Sequence, residues 1–153
     1  MRHFKNRNYR MKDFPDKIAV HINDTHPALA VPELMRLLLD VEKMSWEEAW
    51  RITTMTISYT NHTIMPEALE SWPIEMFKTL LPRIYMIVQE INERFCHELW
   101  EKCPGDWNHI SRMAVISDGL VHMARLAVIG SHSVNGVAIL HSDILRNHIM
   151  NDY

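Results

Sequence analysis

Glycine is scarce in this chain, with four residues in 153. So few glycines leave little material for tight or left-handed turns, which favours a helix-rich protein. Cysteine is nearly absent. Cys96 and Cys103 lie seven apart, on what reads as one helix and its end, where thiols bury readily. Two such residues exclude a disulfide framework as the source of stability. An excess of basic charge is also missing, since the net charge is -3 and the pI is near 6.3. That removes the electrostatic case for nucleic acid, which calls for a basic face. No apolar run approaches the roughly 18 residues that a membrane span requires. The opening residues, Met1 to Arg10, are basic but lead into no apolar stretch, so they do not read as a secretory signal. Together these absences favour the cytosol.

What is present fits one globular domain. Hydrophobic residues make up 47% of the chain and charged residues 23%, a balance that can bury a core rather than stay disordered. Eleven methionines read as core filler, because their unbranched side chains adapt to irregular gaps. No internal repeat, low-complexity tract or linker divides the sequence.

Residues 1–16 read as an irregular, polar lead-in. Lys17 to Ile22 reads as a short buried strand, apolar at Ile18, Ala19, Val20 and Ile22. Asn23-Asp24-Thr25-His26 breaks it. Pro27 then suits a helix start, and a helix to about Leu39 is expected, apolar on most sides and therefore buried. Ser45 and Glu48 have capping-box spacing ahead of a helix from Trp46 to about Thr54. Ile57 to Thr60 is strand-like. Pro73 opens a short helix to about Leu80, and Pro82 begins a longer one to about Trp100. Its face is marked by Ile84, Ile87, Val88, Ile91, Phe95 and Leu99. Asp106 caps a short helix to about Arg112. A brief strand is expected at Met113 to Ile116, then an apolar helix from Val121 to Ser133, and a last helix capped by Asn135. Strand–helix alternation near the start implies parallel pairing.

The polar residues cluster at strand exits, which is where open α/β folds place ligands. The stretch from Thr60 to Trp72 holds Asn61, His62, Thr63, Glu67 and Glu70. It could equally be a polar turn. His21, Asp24 and His26 form an H-x-x-D-x-H cluster with metal-ligand chemistry. Hydrogen bonding to sugar hydroxyls suits the same residues, which both donate and accept. Asp24 could also serve simply as a helix cap. Asp24, Glu67 and Glu70 raise a glycosidase reading, but the sequence places no two of them at the separation a carboxylate pair needs. Ser131 and His132 are adjacent, so their side chains diverge and make a poor nucleophile–base pair.

Three segments resemble the glycogen/starch/maltodextrin phosphorylases. They are Asn23-Asp24-Thr25-His26-Pro27-Ala28-Leu29-Ala30 through Arg36, Tyr59-Thr60-Asn61-His62-Thr63 through Trp72, and Ile129-Gly130-Ser131-His132 through Ala138. They stand in the family's order, and the resemblance runs from Phe14 onward. It implies an α/β, predominantly helical fold. Specifically, it implies part of the Rossmann-like N-terminal domain of a GT-B glycosyltransferase, with a few short parallel strands. Residues 17–153 would be the C-terminal portion of that glucan-side domain.

The resemblance implies a retaining enzyme that cleaves terminal α-1,4-linked glucosyl units with inorganic phosphate, giving glucose 1-phosphate. In that family pyridoxal phosphate assists the phosphate. His62 would be the catalytic-site residue, its ring bonding the 6-hydroxyl of the glucosyl unit. Asn61 and Thr63 would hold its loop. Asp24 and His26 would lie toward the acceptor side, and Val137 would line the sugar by apolar contact. The family's lysine region, its phosphate-binding basic residues and its "KTNGI" motif have no match here. The chain is therefore expected to be a fragment, inactive alone, binding no pyridoxal phosphate or metal. Family members are typically homodimers, and this piece is expected to self-associate through exposed apolar surface. A non-catalytic carbohydrate-binding or assembly module is the alternative, and a metal hydrolase using His21, Asp24 and His26 is a third.

Overall fold

A computed structural model of the chain describes Phe4, residues 9–63 and residues 69–136. The expected last helix, Val137 and Glu67 lie outside the described residues. Residues 9–16, expected to be irregular, carry local structure. A 3₁₀ turn at Met11–Asp13 runs into a one-turn helix, α1 (Phe14–Lys17), with Pro15 in its first turn. Phe14 is buried and meets the Phe4 ring edge-on, with centroids 5.0 Å apart. An aromatic anchor of this kind fixes a segment that charge alone would leave in solvent.

Three short parallel strands form the central sheet, β1 (Val20–Asn23), β2 (Ile57–Asn61) and a last strand, Ser133–Gly136, with β2 in the middle. In register, Val20 pairs with Ile57, Asn23 with Thr60, and Asn61 with Gly136. The expected parallel pairing of the first two strands is present. The sequence pattern over the third predicts the end of a helix and a cap at Asn135; Asn135 instead lies within that strand, opposite Thr60.

The helix expected over Pro27–Leu39 begins later, as α2 (Ala30–Arg36), and continues as a π turn over Leu37–Val41. Pro32 explains the late start. In a helix beginning at Pro27 its missing N–H would break an interior bond, but in one beginning at Ala30 it falls where no helical acceptor waits. Val31, Met35 and Leu38 are fully buried. Helix α3 (Trp46–Thr56) starts at the expected cap, where Ser45 Oγ accepts from the Glu48 N–H at 3.3 Å.

A small antiparallel sheet stands beside the first. It joins β3 (Ser71–Pro73) to a hairpin of β4 (Ile116–Ser117) and β5 (Leu120–His122), in the order β3-β5-β4; the strand completing the parallel sheet is β6 (Ser133–Gly136). Asp118 and Gly119 form the two-residue turn, both with positive φ (53° and 75°). That geometry matches strand twist in tight hairpins. The hairpin shortens the helix expected from Val121 to α7 (Met123–Ile129). The long helix is α5 (Pro82–Lys102), preceded by α4 (Ile74–Leu80) and followed by α6 (Trp107–Met113). Asp106 caps α6 by accepting from the His109 N–H at 2.9 Å. Arg83, at the start of α5, forks onto Asp40 of the π turn at 2.6 and 2.9 Å. Cys96 is part-buried, and burial pushes its thiol pKa up; Cys103 is exposed rather than buried. Both thiols are free.

Close approach fixes one glycine. A Cβ on Gly130, between α7 and β6, would stand 2.5 and 2.6 Å from the two methyls of the buried Val31. Gly130→Ala is therefore expected to lower unfolding free energy by about 1–3 kcal/mol. Urea unfolding of Gly130→Ala, Val31→Ala and the double variant should show a double-variant loss smaller than the sum of the singles. A strictly additive cycle would contradict this packing.

Candidate functional site

The carboxyl ends of β1 and β2 lie side by side, because the two strands run parallel and in register. Within the strands the side chains are mainly apolar or enclosed: Ile22, Ile57 and Tyr59 are buried. The polar residues come at the exits. Chain order thus puts an apolar grip first and a polar rim last, at the edge where ligands meet parallel sheets.

Asp24 is the centre of that rim. Its φ is +65°, a left-handed conformation that Asp tolerates better than most residues. The turn carries its N–H to the carbonyl of Thr60, at 2.8 Å. Its carboxylate then accepts from the Thr25 N–H at 2.6 Å, from the His62 N–H at 3.2 Å and from the Thr63 hydroxyl at 3.1 Å. Burial by itself would raise the Asp24 pKa. The hydrogen bonds from Thr25, Thr63 and His62, helped by the nearby His26, outweigh it and hold the carboxyl below its ordinary value.

His62 is exposed, and its Nε2 lies 2.6 Å from Oδ1 of Asn23 on the neighbouring strand. Asn61 is buried, and its Oδ1 accepts from the Thr63 N–H at 2.6 Å, closing the turn around His62. The Tyr59 phenol lies beside the Asn61 amide. Burial first, then the charge of Asp24, push its pKa up, so the group stays protonated.

A second polar tie runs through Glu70. Its Oε2 accepts from the Thr25 hydroxyl at 2.8 Å and its Oε1 from the Trp72 indole at 3.2 Å. Its carbonyl accepts from the Met123 N–H at 3.0 Å. His26 Nδ1 stands 3.5 Å from the same Oε2. Behind this tie is a largely apolar groove of about 250 Å³, bordered by His26, Leu29, Trp72, Phe77 and Met123.

Four of the residues singled out by sequence therefore converge: Asp24, Asn61, His62 and Thr63 share one hydrogen-bonded rim. His26 is close enough to Asp24 to act on its charge, but its polar contact is with Glu70, and Val137 falls outside the described residues. His21 does not join Asp24 and His26; its Nδ1 pairs with Ser58 Oγ at 2.9 Å. Among the described residues no group of three His, Cys, Asp or Glu could hold a metal ion. Ser131 and His132 diverge as expected, Ser131 Oγ to the Ala127 carbonyl and His132 Nδ1 to that of Thr54. Asn23 and Thr25 belong to the break after the first strand, and the sequence assigns neither of them a site role. Their signal was position, immediately beside Asp24, but what they touch depends on residues some 39 and 45 positions away.

The rim's chemistry is that of polyhydroxyl recognition: carboxylate and amide acceptors, an imidazole, and hydroxyl and amide donors. The sequence profile of the carbohydrate phosphorylase family matches residues 1–153. A glycogen phosphorylase of Bacillus subtilis is 67% identical over 137 residues, covering 90% of this chain and 17% of its own. The human muscle form of glycogen phosphorylase is 47% identical over 164 residues, covering 100% of this chain and 20% of its own. The brain form from Bos taurus is 49% identical over the same length and shares. The chain thus spans about a fifth of the length of these relatives.

The Asp24 network has a pH signature. A carboxyl whose folded pKa lies below its unfolded value of about 3.9 adds stability that is complete above that pH. The contribution is lost as pH falls through the folded value. Asp24→Asn keeps the left-handed turn accessible but weakens three charge-assisted bonds. It is expected to cost about 1 kcal/mol at neutral pH and to flatten the loss of stability below about pH 4. Denaturant titrations of both proteins from pH 7 to pH 2 check this; parallel curves would contradict it.

Proposed function

Because the chain belongs to the carbohydrate phosphorylase family, we propose that it supplies the glucan-side wall of an α-1,4-glucan phosphorylase. The reaction is cleavage of a terminal α-1,4-linked glucosyl unit by inorganic phosphate, with retention, to give glucose 1-phosphate. The observation that carries the reading is the rim itself: Asn23, Asp24, Asn61, His62 and Thr63 held together at the carboxyl edge of a parallel sheet. In this reading His62 meets the reacting glucosyl unit, and Asn61 and Thr63 hold its turn. Asp24 and His26 face the acceptor side, and Val137 lines the sugar.

The three-stranded parallel sheet with helices around it supports placement in a Rossmann-like half of a two-domain GT-B transferase. Residues 1–16 are then a lead-in, and 17–153 the C-terminal part of that half. The proposed compartment is the cytosol, and the whole enzyme is proposed to be a homodimer.

Pyridoxal phosphate, which the family implies, does not fit the residues at this rim. A phosphate ester and an aldehyde need a lysine and further cationic donors. The rim offers carboxylate, amide, hydroxyl and imidazole, while Lys78 is paired with Glu75 at 2.9 Å on α4. The cofactor is therefore assigned to other parts of the whole enzyme. The glucan wall contributes orientation: hydrogen bonds that fix the sugar, and dipoles set in advance where positive charge develops on it.

These 153 residues by themselves are expected to bind maltooligosaccharide without turning it over. Calorimetric titration with maltoheptaose should show binding that weakens at least about tenfold in His62→Ala, the equivalent of one strong hydrogen bond. Pyridoxal phosphate added to the bare chain should give no stoichiometric Schiff-base band. Release of glucose 1-phosphate by the bare chain, or binding indifferent to His62→Ala, would overturn the proposal. Leu80, Leu81 and Trp72 are exposed around the apolar groove. Light scattering is accordingly expected to show concentration-dependent self-association, and a sharp monomer at all concentrations would speak against it.

A further inference from the structure

The β4–β5 hairpin holds a side-chain cluster that the rim does not use. Ser117 pairs with Leu120, so Ser117 and His122 stand diagonally across the hairpin on one face, and His122 Nε2 lies 2.9 Å from Ser117 Oγ. Arg125, on α7, donates from Nη1 to the same Oγ at 3.2 Å and to the Ala114 carbonyl at 2.7 Å. One hydroxyl oxygen thus stands between an imidazole and a guanidinium. A neutral ring suits it, because Oγ accepts from Arg125 while its hydrogen can point at the Nε2 lone pair. A protonated ring only donates. It would aim a second cation at the oxygen that Arg125 already uses, and would leave the hydroxyl hydrogen without that acceptor. Burial first and Arg125 second hold the His122 pKa below its ordinary value, against a hydrogen bond to the Ser117 backbone and the charge of Asp118.

We propose that this hairpin is a pH-sensitive latch on the loop that carries Asp24: it holds Glu70 in place while His122 is neutral and loosens when His122 takes up a proton. The route is short. His122 pairs with Ser71, the residue after Glu70, in the β3–β5 register. The next residue, Met123, donates its N–H to the Glu70 carbonyl at 3.0 Å. Glu70 in turn accepts from the Thr25 hydroxyl at 2.8 Å, beside Asp24. The charged groups set around His122 are Arg125 from α7, Asp118 from the turn and Glu70 from the residue ahead of β3. From α5 comes the neutral Asn92, whose Oδ1 accepts from the Ile116 N–H at 3.0 Å. The folded chain binds a proton at His122 less readily than the unfolded chain, whose histidine titrates near 6.5. The stabilising contribution is therefore complete above about pH 6.5 and is lost as pH falls from there through the lower folded value. Nothing in this latch depends on a bound glucan.

The test is amide hydrogen exchange of the 153-residue chain by NMR, each rate corrected for the intrinsic effect of pH, beside a titration of the His122 ring. Between about pH 7.5 and about pH 5, protection of the Met123 amide is expected to fall about three- to tenfold, the equivalent of one hydrogen bond. It should stay below the protection of the β2 amides throughout, the mark of a local opening. The midpoint of the fall should coincide with that of the His122 ring, below about 6.5. In His122→Gln, whose carboxamide can pair with Ser117 but does not titrate, Met123 protection should stay level across the range. His26 Nδ1 lies 3.5 Å from Glu70 Oε2, so His26→Gln separates the two histidines, and the response should persist there. A response absent from the wild type, retained in His122→Gln or lost in His26→Gln would overturn the latch. So would a His122 midpoint at or above about 6.5. Protection equal to that of β2 at every pH would mean that the hairpin opens only with the whole chain, and would overturn it as well. The two wild-type midpoints decide the matter even if His122→Gln fails to fold.

Discussion

One carboxylate joins the two strand exits. Asp24 leaves β1 in a left-handed turn and sends its N–H back to β2, at the Thr60 carbonyl. Its side chain then receives the residues that follow β2, His62 and Thr63. Without this crossing, two neighbouring loops would be free to leave in different directions. With it, the exit of one strand is defined in the frame of the other. The strain of a left-handed residue is of order 1–2 kcal/mol, comparable to a single charge-assisted hydrogen bond. Three such bonds are therefore enough to hold the turn.

The rim depends in turn on what lies beneath it. Parallel strands need cover on both faces, and here α2, α3 and α7 bring buried aliphatic side chains to the sheet. Val31 is seated so closely against Gly130 that not even a methyl fits between them. Glu70 then fastens the first loop to the antiparallel sheet, through Thr25 on one side and the N–H of Met123 on the other. The polar edge is thus rigid because apolar contacts fix the strands and two carboxylates fix the turns. Such support around a binding group is what keeps its geometry from drifting.

Much of this was legible in the sequence, for identifiable reasons. The Ser45 and Asp106 caps, the α5 stripe and the parallel pairing of β1 and β2 follow from local spacing, and the structure shows each of them. The start of α2 departs from the expectation because Pro27, though suited to a first helical position, yields to the stricter demand of Pro32. The brief strand expected at Met113 to Ile116 falls at Ile116–Ser117, and Val121 and His122, expected in a helix from their apolar run, pair as β5 because the Asp118-Gly119 turn folds a hairpin there. Strand β6 was hidden for a different reason. Its four residues, Ser133–Gly136, include serine, asparagine and glycine, and only pairing with β2 makes them a strand. At the rim, Asp24 and His62 stood out by type. Asn23 and Glu70 took their meaning from partners far along the chain, which no local pattern records.

The order of the strands also governs when the rim can come into being. His21 meets Ser58 across 37 positions, and the contact that leads into β6, His132 to Thr54, spans 78. Closing such loops costs entropy before any pairing returns it, so nonlocal parallel sheets form late relative to helices and tight hairpins. On the ribosome, β1 and β2 emerge long before the strand that completes their sheet. Until it arrives the central strand has an open edge, so the nascent protein passes through an interval in which intermolecular strand pairing competes with correct assembly.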